Sequence, residues 1–127
     1  MSKVINQLIH LNVQVKLYQW NTIPHKIYKI SEESYKDITR LSDEFVELYI
    51  KTYGRRSIQA PFSTIKLANL TDRCMMQYIK KVREFIKNEL VKYIDEDVDT
   101  ELVKISDELC VALSVTLSGF IIHGINK

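Results

Sequence analysis

Glycine and proline are scarce: the 127-residue chain holds three glycines and two prolines. An all-β domain of this length turns many times, and those two residues build most tight turns. Their scarcity therefore predicts long helices with few connections. Cysteine is equally sparse. Cys74 and Cys110 lack the spacing of a metal site and sit in apolar helical patterns, which predicts two buried, reduced thiols rather than a bridge. Gly-rich phosphate loops, nucleophile elbows, H-E-x-x-H and C-x-x-C are all missing, so the common catalytic signatures give no reading.

Charge of one sign is missing as well. Eighteen basic and sixteen acidic side chains leave a formal charge of +2, too little to steer the chain onto nucleic acid. Hydrophobic residues at 46% and charged residues at 27% exclude a largely disordered chain. The N-terminal MSKVINQLIHLNV is amphipathic rather than continuously apolar, so no secretory leader is expected. The length suits one domain, residues 1–127, built on one core.

What is present is helical periodicity. Val4, Leu8, Leu11, Val15 and Tyr18 recur at three- and four-residue spacing in a first helix from about Lys3 to Trp20. Trp20 is expected to be buried where this helix meets a bend, NTIPHKIYKI, that contains Pro24. Ser31 then reads as an N-cap, with Glu32 and Glu33 in the first turn. Ile38, Leu41, Phe45, Leu48 and Thr52 form the stripe of this second helix, and Gly54 follows Tyr53 as its stop. A third helix is expected from Thr71 or Asp72 to about Ile94, and a fourth from about Asp99 to His123, with DEDVD as the turn between them. The fold class is thus all-α, a four-helix bundle. GRRSIQAPFSTIKLAN is the one long connection, which suggests a crossover between the second and third helices along the length of the bundle.

The fourth helix differs from the others in composition. From Leu109 to Ile122 it carries no charged side chain. A helix with one wet face normally shows charges there. The run is shorter than the roughly 20 residues of a membrane span, and Ser114, Thr116, Ser118 and Gly119 dilute it. Burial on more than one side is expected, deep in the bundle or against a second subunit, and hence a homo-oligomer, dimer or larger.

Asp43 and Glu47 are the candidates for chemistry. Four residues apart, they stack on one side of the second helix, with Val46 and Ile50 beside them. Two carboxylates flanked by apolar residues suit a hard or borderline metal ion at a subunit interface. The competing reading is a solvated face on which Arg40 pairs with Asp43 or Glu44 and Lys51 with Glu47. His10 and His25 are further ligand types, Arg55 and Arg56 are two adjacent cations, and Asp107 with Glu108 heads the uncharged stretch. Each also has an ordinary structural explanation.

The stretch from Leu17 to Gly54, LYQWNTIPHKIYKISEESYKDITRLSDEFVELYIKTYG, resembles the helix-loop-helix of Dps-type ferritin-like proteins. That family has a His-Trp pair ending one helix, a second His in the next segment, and D-x-x-x-E on the second helix. Trp20, Asp43 and Glu47 match it. DTELVKISDELCVAL resembles a small group of Dps-like proteins of viruses. The resemblance implies a ferritin-like bundle with the crossover, and metal ligands drawn from two subunits, with iron as the metal. The first family histidine falls on Gln19 and the second on Tyr28, with His25 as a substitute nearby. A site of Asp43, Glu47, Gln19 and Tyr28 is nearly all oxygen and suits magnesium or calcium better than ferrous iron. The resemblance therefore implies two functions. One is an oligomeric scaffold or virion-associated protein with a degenerate iron site and no catalysis. The other is a metal-binding protein with residual ferrous-iron oxidation or storage at a dimer interface. It implies an intracellular setting, in the cytoplasm or in an infected cell or virion; the near-neutral charge and the absence of a lysine-rich tail make a nucleic-acid compactor the weakest reading, and the short apolar run argues against a membrane.

Overall fold

A computed structural model describes residues 2–22, 25–54, 66–90 and 92–122. Within them lie four helices and no strand: α1 (Ser2–Asn21), α2 (His25–Tyr53), α3 (Asp72–Leu90) and α4 (Thr100–Ile122). The periodic apolar positions become the core. Val4, Leu8, Leu11, Val15 and Tyr18 of α1 are all buried, as are Ile38, Leu41 and Phe45 of α2. Met75, Ile79 and Ile86 from α3 meet Leu109, Leu113 and Phe120 from α4 in the same cluster. Each such side chain contributes about 1.5–3 kcal/mol on full burial.

α2 packs against α1 and α4, and α3 packs against the same two helices. Specific contacts give the directions. Asn12 of α1 donates to Ser42 Oγ and accepts from Thr39 Oγ1, while Lys16 lies over Tyr35, so α1 and α2 are antiparallel. Ser34 bonds Thr116 at 2.6 Å, and Ile30 lies against Gly119, so α2 and α4 are antiparallel. His10–Tyr78 and Tyr18–Asp72 set α1 against α3 in the same sense. It follows that α2 and α3, consecutive in the chain, run the same way. The proposed crossover between them, and with it Arg55 and Arg56, falls largely on residues 55–65, outside the described residues.

Local chemistry moves several expected boundaries. α2 begins at His25, six residues before Ser31. Ser31 is not a cap: it lies inside the helix, and its hydroxyl donates to the Ile27 carbonyl at 2.9 Å. Ile27 is buried and Ile30 packs on the core, so the apolar stripe reaches back through the supposed bend. Pro24 just ahead of a helix does not oppose it, because first-turn N–H groups have no helical partner. Gly54 does stop α2: its φ is 88° and its N–H bonds the Ile50 carbonyl, the left-handed termination glycine tolerates. Thr71 caps α3 through its hydroxyl to the Cys74 N–H. α3 ends at Leu90 rather than Ile94, since Tyr93 and Ile94 both turn back onto the Leu90 carbonyl. Asp99 leads into α4, and DEDVD is the turn, as expected.

Three side chains and one helix face depart from expectation. Trp20 is 68% exposed; two residues beyond buried Tyr18, it is turned by more than half a circle from the core stripe. Thr52 is exposed, and Cys74 is exposed while Cys110 is buried. The uncharged part of α4 is not sunk deep in the bundle: Val111 is 61%, Val115 65% and Ile122 77% exposed.

Candidate functional site

Asp43 and Glu47 lie on the exposed outer side of α2, opposite buried Leu41 and Phe45. Val46 and Ile50 beside them are half-buried. Ion pairs on this helix join Lys36 to Glu32 and Arg40 to Glu44 and, loosely at 4.0 Å, to Asp37. Among the described residues neither Asp43 nor Glu47 is in an ion pair, so Arg40 serves the carboxylate one residue further on. The two acids therefore stand as an uncompensated pair on a half-apolar surface, a spacing that costs a few tenths of a kcal/mol.

The other expected ligand positions are elsewhere. Gln19 is 1% exposed, and its side-chain oxygen accepts from Lys16 Nζ at 3.1 Å. The same ammonium lies 4.7 Å from the Tyr35 ring centre and 5.7 Å from that of Trp20. Tyr35 is eight residues, or about 12 Å of helix axis, from Asp43. Gln19 is a further turn away, so one chain cannot bring Gln19 and Asp43 to a common ion. Tyr28 is exposed near the start of α2. His25 opens that helix, but its side chain lies outside what is described. Among the described residues no three His, Cys, Asp or Glu side chains converge.

The structure shows polar ties that sequence reasoning missed. Gln14 is buried in the apolar face of α1, and its amide pairs with both the N–H and the C=O of Ala68. His10 donates through Nε2 to the Lys66 carbonyl at 2.7 Å, which leaves Nδ1 to accept from the Tyr78 hydroxyl at 2.6 Å. Both ring nitrogens are thus committed, and His10 is a structural residue. Together Gln14 and His10 bind residues 66–68 to the flank of α1. At opposite ends of the bundle, Tyr18 donates to Asp72 and Tyr53 donates to Asp99. Burial, then the Asp72 carboxylate, pushes the Tyr18 phenol up, and burial does the same to Tyr78. The bond to Asp99 raises Tyr53 to about 12. Gln14 had a sequence signal, since it sits three residues after Leu11 and four before Tyr18 on the core face. The tyrosine pairs had none, because each joins residues about fifty apart.

Among the described residues apolar side chains are exposed on α1, at Ile9, Val13 and Trp20, and on α4. Val111, Val115 and Ile122 are exposed on the outward side of α4, and a groove lies on each side of Val111 and Val115. The groove toward α2 is about 600 Å³ and is floored by Leu41, Val103 and Ala112. The groove toward α3, about 450 Å³, includes Lys87, Cys110 and Ser114. No protein-family model, curated protein or solved structure matches the chain.

Proposed function

We propose that the chain is an oligomeric structural protein on a ferritin-like, Dps-type bundle whose iron site has degenerated. It acts as a non-catalytic scaffold, within an infected cell or virion or in the cytoplasm, without nucleic acid or membrane as its partner. The ferritin-like reading is supported by the parallel run of α2 and α3 and by their shared neighbours α1 and α4, an arrangement that calls for a crossover. The observation that carries the loss of iron chemistry is Gln19. At the position of the family's first histidine stands a buried amide whose oxygen is already bonded to the Lys16 ammonium. One lone pair of that oxygen is taken, the amide is buried, and the adjacent positive charge repels a metal. The residues present therefore fit ferrous iron poorly, and no oxidation step is assigned to them.

The second reading keeps a metal. Asp43 and Glu47 are exposed and lack ion pairs among the described residues, so they can face donors of a second subunit. An all-oxygen set of this kind favours magnesium or calcium. Measuring the purified protein's metal content and its uptake of ferrous, magnesium and calcium ions separates the two. Scaffold function predicts an assembly with no stoichiometric metal and no iron oxidation above buffer. Stoichiometric uptake abolished by Asp43→Asn with Glu47→Gln overturns it in favour of the second reading.

A further inference from the structure

The cleft between α3 and α4 collects positive charge that the opposite helix does not match. Lys80, Arg83 and Lys87 lie within about 60° of one another around α3. This edge faces α4: Arg83 donates through Nη1 to Ser114 Oγ at 3.0 Å, and Lys87 lines the groove beside Cys110, Ser114 and Ser118. Those three belong to the stretch of α4 that carries no acid. A row of cations on one helix ordinarily meets carboxylates on the next. Here it meets two hydroxyls and a thiol.

Two acids stand at the margins. Asp107 lines the groove, but it is seven residues, or about 10 Å of helix axis, from Ser114. Glu84 is more than half exposed, and its carboxylate lies 3.9 Å from Arg83 Nε, too far to accept a hydrogen bond. Among the described residues neither Lys80 nor Lys87 is in an ion pair. Burial pushes the Cys110 thiol up, while Lys87 and Arg83 favour its anion and Asp107 and Glu84 oppose it, so all four charges surround one point of the cleft. The groove toward α2 has the opposite balance, with Asp37, Asp107 and Glu108 against Arg40 and Lys104, and there Arg40 is bonded to Glu44.

Arg83 shows the imbalance most clearly. Its side chain is only 25% exposed. A guanidinium has five N–H donors, yet among the described residues this one makes a single hydrogen bond, to a neutral hydroxyl. Its Nε is shut off from water and has no acceptor. A guanidinium this far out of water is ordinarily bridged by a carboxylate or phosphate, because its dehydration is costly otherwise. The groove of about 450 Å³ at Ser114 has room for such a group. Three cations against two marginal acids favour an anion of more than one charge, which phosphate is at neutral pH.

We infer that the α3–α4 cleft is an oxyanion site in which a phosphate group seats on the Arg83 guanidinium and the Ser114 hydroxyl, with Lys80 and Lys87 on either side. The site lies within one chain and goes beyond the scaffold reading, since it stands whether or not the chain assembles. Nuclear magnetic resonance of the full chain, titrated with inorganic phosphate against chloride at constant ionic strength, tests it. Saturable shifts are expected at the Arg83 Nε–H and at the amides of Cys110, Ser114 and Ser118, with Asp43 and Glu47 unmoved. Arg83→Gln should raise the Kd at least about tenfold. Arg83→Lys, which keeps the charge and loses the planar fork, should raise it at least about threefold. Exposed Lys87→Gln should raise it about threefold and keeps the test valid if the Arg83 variants fold badly. Phenyl phosphate that binds more tightly than inorganic phosphate assigns the site to a phosphate ester whose apolar part lies on Val111 and Val115; affinity no tighter assigns it to the free ion. Absence of a saturable shift up to about 50 mM phosphate, or a Kd unchanged in both Arg83→Gln and Lys87→Gln, overturns the site.

Discussion

α1 and α4 lie on one diagonal of the bundle, α2 and α3 on the other, and the two diagonals differ in kind. α2 and α3 keep apolar residues on one stripe and charges on the other, as a helix with one wet face does. α1 and α4 do not. α1 carries only Lys3 and Lys16 as charges and exposes Ile9, Val13 and Trp20. α4 is uncharged from Leu109 to Ile122 and exposes Val111 and Val115. Every helix has two neighbours in the bundle, so burial within one chain does not account for the difference. The contrast places the unexplained hydrophobicity on two outward faces, and it separates what folds the chain from what the folded chain meets.

Truncating α4 on each face in turn should separate its inner side from its outer side. Leu113→Ala removes a fully buried side chain and should cost about 2–5 kcal/mol. Val115→Ser, about 200° round the helix, should leave the stability of the isolated chain within about 0.5 kcal/mol. Denaturant unfolding at concentrations low enough to exclude association checks both. Comparable losses at the two sites would mean that the outer face belongs to the fold.

Gln14 gives the next largest effect. Gln14→Ala strips the partners from the Ala68 N–H and C=O at once and should destabilise by about 1–3 kcal/mol. Hydrogen exchange should then show faster opening at residues 66–70 than elsewhere. Unchanged protection there would show that the return segment is held by something other than this amide.

The third effect depends on pH. Tyr53 is raised from its ordinary 10.0 to about 12 by its bond to Asp99. A phenol raised on folding contributes stability that is fully present below the unfolded pKa. That contribution falls as pH rises between 10.0 and about 12. Thermal unfolding followed through this window should show a decline that Tyr53→Phe reduces, and the phenolate absorbance should lose one late-titrating group in the variant. An identical decline in both chains would dissociate Tyr53 from it.

How much of this was legible in the sequence follows from the range of each signal. The four helices, the Gly54 stop, the Thr71 start and the DEDVD turn were readable because caps and stripes are local patterns. Ser31 misled because its cap chemistry is equally satisfied inside a helix by a bond to the Ile27 carbonyl. Trp20 misled because large aromatic area predicts burial only when the residue shares the core's angular position. Asp43 and Glu47 were correctly read as lying off the core stripe beside Val46 and Ile50. Their freedom from Arg40 was not legible, since an arginine can reach several acids on one helix and the choice is made by rotamers. The Lys16–Gln19 bond at the altered ligand position is local, three residues apart, and was within reach of the sequence.

The smallest effect concerns that end of α1. Trp20→Ala should change chain stability by no more than about 0.5 kcal/mol, as exposed substitutions do, and wild-type tryptophan emission should be that of a hydrated indole unless a partner covers it. Blue-shifted emission that moves red on dilution would give α1 an interface of its own and extend the diagonal comparison to both corners.

Sedimentation equilibrium of the unmodified chain across a hundredfold range of concentration decides whether the outward hydrophobic surface serves assembly. If it does, the mass is a whole multiple of 14.9 kDa, at least two, and falls toward a single chain only on dilution. A mass of one chain throughout the range would contradict it.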